Sequence, residues 1–144
     1  MRIVLDSNIL VRAFVNSHGF AYKLLRAVLA EDHRLLISNE MLAELTRVLR
    51  YSRLAIDHGE DEEAIYEFTS WLRHSAELVH VNPFTVAPTR DSQDVIVIQT
   101  ALSGEADILC TMDRDFFESP ASTFLASHRI AVLTDAQLMK RLNR

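Results

Sequence analysis

The sequence predicts an α/β protein, a three-layer α/β/α sandwich around a mainly parallel central sheet. Three observations carry that expectation. Short β-branched apolar runs alternate along the chain with longer stretches of helical periodicity. The runs are apolar throughout rather than at every second residue, as strands covered on both faces are. No repeat or low-complexity stretch interrupts the alternation.

The elements follow in order. Residues 2–5 form a strand whose apolar run, Ile3-Val4-Leu5, leads straight into Asp6, Ser7 and Asn8 within "IVLDSNIL". A first helix is expected around 20–30, with Phe20, Leu24, Leu25 and Val28 at helical spacing. "LLIS" (35–38) is a second strand, and Ser38 is placed to cap the helix "NEMLAELTRVLR", whose first turn holds Glu40. "EDEEAIYEFTSWLRHSAEL" (60–78) opens on an acidic turn and carries Ile65, Phe68, Trp71 and Leu72 on one stripe, which predicts a third helix, and "LVHV" follows as a strand. The proline-bearing "NPFTVAPTR" reads as a loop before "DSQDVIVIQTALSG", a strongly apolar and hence buried helix stopped by Gly104. "DILCT" (107–111) is the next strand, "MDRDFF" a turn and "RIAVL" (129–133) the last strand. "TDAQLMKRLNR" is a terminal helix capped by Thr134 or Asp135.

A chain of 144 residues is expected to form one domain, residues 1–144, with a core of its own. Its 15 basic against 20 acidic residues give a net charge of −5, which excludes a broad electropositive surface for nucleic acid. A polyanion must therefore bind locally, with metal help. The single cysteine, Cys110, has no internal disulfide partner and no histidine beside it, which fits a packing role in a reducing compartment. No segment is apolar over a bilayer-spanning length and no signal-peptide pattern opens the chain, so a cytoplasmic protein without membrane association is expected.

Three of the predicted strands end in polar groups, and in a parallel sheet those ends share the edge at which ligands bind. Asp6 is there either a turn residue or a working carboxylate, and Asn8 either caps the next segment or holds that carboxylate. Glu44 lies at the flank of the stripe formed by Met41, Leu42, Leu45, Val48 and Leu49, not opposite it as a solvated glutamate would, which marks it as a site candidate; an intrahelical pair with Arg47 is the alternative. Asp91 reads as a helix cap. Asp94 instead starts the row of Ile98 and Ala101, and an acid on a buried row needs a partner, which a metal ion can supply. Asp113 and Asp115 follow "DILCT", spaced to point the same way if the chain stays extended, and Asp113 is the nearer to the strand end. Scattered carboxylates suit Mg2+ or Mn2+. Zinc fits poorly, because His18, His33, His58, His74, His80 and His128 show no paired ligand spacing.

"IVLDSNIL", "LISNEMLAELTRVL" and "RDSQDVIVIQTALSGEADILCTMDRDFF", in this order, resemble the PIN domain family, and particularly its small prokaryotic toxin-like (VapC-like) members. The resemblance spans nearly the whole chain. It implies a Mg2+- or Mn2+-dependent endoribonuclease whose acidic quartet falls on Asp6, Glu44, Asp94 and Asp113. Asn8 matches the polar residue that supports the first acid, Thr111 the hydroxyl residue before the fourth, and Asp115 an additional acid. It further implies an RNA substrate, a cognate antitoxin and a homodimer. Ser92 stands where proline is frequent and Met112 where glycine is frequent; neither is one of the implied ligands. Of the cations near these motifs, Arg12, Arg47, Arg90 and Arg114 are candidates for phosphate contacts.

Two other classes compete. A phosphoaspartyl enzyme of the haloacid-dehalogenase pattern wants a second aspartate where Asn8 stands, and a receiver domain wants an acidic pair and a late lysine that are not evident. A non-catalytic module would keep the fold and bind RNA or a partner protein without cutting. Tyr66, Phe68 and Trp71 cannot all face one core, which adds to the expectation of a homodimer.

Overall fold

The structure, a computed structural model, describes residues 1–30, 32–51 and 62–143. Its centre is a five-stranded, wholly parallel sheet of order β3-β2-β1-β4-β5, built from β1 (Arg2–Leu5), β2 (Arg34–Ser38), β3 (Glu77–Val79), β4 (Ile108–Cys110) and β5 (Ala131–Leu133). Among the described residues seven α-helices accompany it: α1 (Ser7–Val15), α2 (Phe20–Val28), α3 (Asn39–Leu49), α4 (Glu62–Ser75), α5 (Ser92–Ser103), α6 (Ala121–Ser127) and α7 (Asp135–Leu142). The arrangement is the predicted α/β/α sandwich. β1 lies in the middle, and Ile3, Val4 and Leu5 are fully buried, which is why its sequence is apolar without alternation.

The strand order decides where a site can form. From β1 the chain builds outward through β2 to β3, then returns across the sheet to add β4 and β5 on the other side. The switch lies between β1 and β4, and the crevice outside the carboxyl ends of such a pair is where α/β sheets bind ligands. The β1–β4 register, Leu5 opposite Cys110, sets Asp6 beside Thr111 there.

Several boundaries differ from the sequence reading. Helix α1 starts directly after β1 and was not anticipated; Asp6 is its N-cap, accepting from Ser7 N at 2.7 Å. In α2 the buried row is Ala21, Leu24, Leu25 and Val28, while Phe20 turns outward at 45% exposure. The helix expected over 60–78 ends at Ser75, because Glu77 already belongs to β3, where it pairs with Arg2 of β1; residues 60 and 61 lie outside the described residues. The segment at 113–115 does not stay extended, since Arg114–Phe117 close a 3-10 turn with Asp113 as its N-cap. Helix α6, short and weakly patterned, was also not anticipated.

Gly104 does end α5, for a different reason than left-handed geometry. Its φ of −86° is ordinary, and Glu105 takes the positive φ of 53° instead. A Cβ at 104 would stand 2.9 Å from both Leu36 Cδ1 and Val79 Cγ2, so glycine is needed for the close approach of α5 to the sheet. On α4, Phe68 meets Phe14 of α1 edge-on at 5.1 Å and Trp71 stacks on Tyr22 of α2 at 6.5 Å, whereas Tyr66 is 71% exposed. Two of the three rings thus pack within the domain.

Candidate active site

Three elements bring acids to the β1–β4 crevice, and α3 sets a glutamate beside α5. Asp6, at the end of β1, is 8% exposed, and its two oxygens are held separately: Ser7 N donates to Oδ1 at 2.7 Å and Thr111 Oγ1 donates to Oδ2 at 2.7 Å. Thr111 itself is fully buried, and its hydroxyl also accepts from Asp113 N at 3.0 Å. One hydroxyl therefore ties the acid after β1 to the acid after β4. Asp113 is turned back by its cap, with Oδ1 accepting from Asp115 N at 3.0 Å.

Asp94 enters from the first turn of α5. Its neighbour Asp91 does the capping, Oδ1 accepting from Gln93 N and Asp94 N at 2.9 and 3.2 Å. Asp94 is thereby free of local duty, and its carboxylate accepts no hydrogen bond among the described residues. It begins the row of Ile98 and Ala101, both fully buried. Glu44 comes from α3, whose start is fixed by Ser38: the Ser38 hydroxyl accepts from Met41 N at 3.2 Å and bonds Thr100 of α5 at 2.8 Å in the core. That buried link sets α3 against α5, and Gln93 Nε2 then donates to Glu44 Oε1 at 2.8 Å.

Electrostatics separate these acids. Burial pushes the Asp6 carboxyl upward, hydrogen bonds from Thr111 and Ser7 pull it back, and the charges of Asp113 and Asp91 add to the rise. Asp94 is pushed up to about 6, first by its partial burial, then by Asp91, Asp113, Asp6 and Asp115. Glu44 does not stand among these charges. It has its own cation, Arg47, which reaches both oxygens at 2.6 and 3.2 Å. The plain intrahelical pair anticipated for Glu44 is thus present, together with the unanticipated contact to Gln93.

The donor set fits a hard divalent cation: carboxylate oxygens only, with Asp6 and Asp94 raised by burial and then by neighbouring charges, and with no Lys or Arg paired to Asp6, Asp94 or Asp113 among the described residues. As the side chains stand, no three His, Cys, Asp or Glu among the described residues close into a metal-holding group. Such openness is compatible with Mg2+, which keeps several waters and takes few carboxylates directly.

The sequence matches the family model described as PIN domain over residues 2–115, from β1 into the start of the 3-10 turn, and so includes every acid above. The chain belongs to the PIN domain family. Its fold is similar to that of a chain in the crystal structure of VapBC2 from Rickettsia felis bound to a DNA fragment from their promoter. The TM-score is 0.61 at 17% identity, over 93% of this chain and 98% of that one. No curated protein matches the sequence significantly.

Around the crevice of this PIN domain the remaining expected residues take distinct places. Asn8 is exposed on the first turn of α1 and makes no hydrogen bond to Asp6; Thr111 and the Ser7 amide hold that carboxylate instead. Asp115 is exposed and, with Asp94, lines a cleft of about 200 Å³ that Phe116, Pro88 and Pro120 also line. Arg12 pairs with Asp135 at 3.3 Å, while Arg90 and Arg114 are exposed and form no ion pair among the described residues. Met112 is half exposed, with Sδ 3.5 Å from Asp135 N, on the α7 side of the crevice. Cys110 is buried and its thiol is pushed up to about 12 by that burial, so it packs rather than reacts. No helix among the described residues is long and apolar enough to cross a membrane.

Gln93, which donates to Glu44, is a contact residue that sequence reasoning missed. Its position beside Asp94, on the first turn of a helix facing α3, was the available signal.

Proposed function

We propose that this PIN domain is a metal-dependent endoribonuclease that hydrolyses RNA phosphodiester bonds, and that it is the toxin of a toxin–antitoxin pair. The observation that carries the reading is the gathering of Asp6, Asp94 and Asp113 at the strand-order switch without a paired cation among the described residues, with Asp94 pushed up to about 6 by its partial burial and then by the other acids. Residues of this kind hold a cation in preference to repelling one another.

Asp6, Asp94 and Asp113 are the residues that would hold Mg2+ or Mn2+. Such an ion, when bound, neutralises the scissile phosphate and lowers the pKa of an attacking water. Thr111 keeps Asp6 and Asp113 in register, and Glu44 orients water at the crevice rim. Asn8 and Asp115 support the site from its two exposed sides. The free guanidinium groups of Arg90 and Arg114 receive backbone phosphates, which suits a protein of net charge −5 that lacks a general basic surface.

The similarity to a chain of the VapBC2 complex supports a protein antitoxin as partner. A homodimer is the expected free state, with exposed Tyr66 available to a second copy. The test is cleavage of single-stranded RNA by purified protein in Mn2+ and in EDTA. Cleavage in Mn2+ that is lost in Asp6→Asn supports the reading. RNA binding that is equally strong in EDTA and indifferent to Asp6→Asn, with no cleavage, makes the protein a non-catalytic PIN-fold binding module instead.

A further inference from the structure

We propose that Arg47 withholds Glu44 from the divalent cation while Gln93 fixes its distance from α5, leaving it a positioning carboxylate beside a cation held by Asp6, Asp94 and Asp113. The inference rests on the nuclease reading above.

Glu44 Oε1 accepts from Arg47 Nη2 at 2.6 Å and from Gln93 Nε2 at 2.8 Å, and Oε2 accepts from Arg47 Nε at 3.2 Å. A carboxylate offers about four acceptor positions. Both on Oε1 are filled, and one on Oε2 is left to accept from a water. The charge is matched as well, because a guanidinium meets both oxygens as a planar fork and stays protonated at any working pH. The pair is arranged with the acid inward: the Glu44 side chain is 15% exposed and that of Arg47 57%.

Asp94 has the opposite surroundings, with no donor to its carboxylate and four acids acting on it. A dication therefore gains more at the aspartates than at a glutamate already neutralised. Gln93 adds a geometric constraint. It precedes Asp94 on α5, so its amide ties the α3 glutamate to the helix that carries the metal-facing aspartate and fixes the spacing between the two.

Calorimetric titration of Mn2+ alone into the full chain tests this. Glu44→Gln is expected to bind Mn2+ within about threefold of wild type, while Asp94→Asn weakens binding by about thirtyfold or more. Arg47→Ala releases Glu44 and tightens Mn2+ binding about fivefold, and Arg47→Ala/Glu44→Gln loses that gain. Gln93→Ala keeps the Mn2+ affinity, Tm and KM for RNA but lowers kcat about tenfold, a split that a purely structural residue does not produce. Glu44→Gln weakening Mn2+ as much as Asp94→Asn overturns the inference, as does an Arg47→Ala affinity equal to wild type. Either result in a protein that still binds Mn2+ and cleaves RNA leaves the nuclease reading standing. Wild-type protein that binds no Mn2+ removes both.

Discussion

Replacing Asp94 by asparagine should stabilise the metal-free protein at neutral pH while destroying the proposed metal site. The side chains have the same shape, and the Asp94 carboxylate accepts no hydrogen bond that the amide would lose. What changes is charge. The carboxyl is raised from its ordinary 3.8 to about 6 in the folded protein by burial and by Asp91, Asp113, Asp6 and Asp115. Below about pH 3 it is protonated folded or unfolded and contributes nothing. Between about 4 and 6 the folded state holds the proton that the unfolded chain releases, so the free energy of unfolding falls as pH rises, and above 6 the full penalty is present. For a group sealed from water the rise would correspond to about 3 kcal/mol. Asp94 is only half-buried, and solvent screening reduces this to about 1 kcal/mol. Urea unfolding in EDTA should therefore find Asp94→Asn more stable than wild type by about 1 kcal/mol at pH 7.5, or about 3 °C in Tm, and equal to it at about pH 3. Saturating Mn2+ should reverse the order, because only wild type gains binding energy on folding. A variant no more stable than wild type at pH 7.5 in EDTA would show that the acids do not strain the fold, and the electrostatic argument for a cation site would fail with it.

Thr111→Val preserves shape but removes the donor to Asp6 and the acceptor for Asp113 N, both inside the protein; a loss of about 2 kcal/mol in urea unfolding at pH 7 is expected, with weaker Mn2+ binding by calorimetry. Gly104→Ala drives a methyl against Leu36 and Val79 and should cost about 1 to 2 kcal/mol, read as a lower Tm; an unchanged Tm would mean that α5 moves away from the sheet without resistance. Asp91→Asn keeps the cap on α5 and should change stability by less than about 0.5 kcal/mol with most cleavage retained, whereas Asp91→Ala loses about 1 kcal/mol. RNA cleavage abolished by Asp91→Asn would mean that Asp91, not Asp94, is the working acid of that turn.

What the sequence determined by itself is what local physics controls. The caps at Ser38, Asp91 and Thr134 join residues two or three positions apart, so they are readable from one turn of sequence. The unbroken apolar character of Ile3-Val4-Leu5 and Ile108-Leu109-Cys110 announces strands buried on both faces, and the row from Asp94 to Ala101 follows from helical spacing alone. The family motifs added where the acids belong in a shared pattern.

Tertiary structure decided the rest, because the partners are distant in sequence. Asp6 acquires its character from Thr111, 105 positions away, through a register between β1 and β4 that no local pattern encodes. Its part in capping α1 was hidden, since "DSNILV" is too short a stretch to show helical spacing and Asp6 there reads equally well as a strand-end turn residue. Glu44 showed both a local partner and a remote one; Arg47 lies three residues on and was anticipated, while Gln93 is 49 residues away and was not. Phe20 and Ala21 compete for one buried row, and only the packing of α2 chooses the smaller residue. Periodicity and capping are properties of a single turn, but whether a carboxylate is crowded, paired or alone depends on which strand ends the sheet sets side by side.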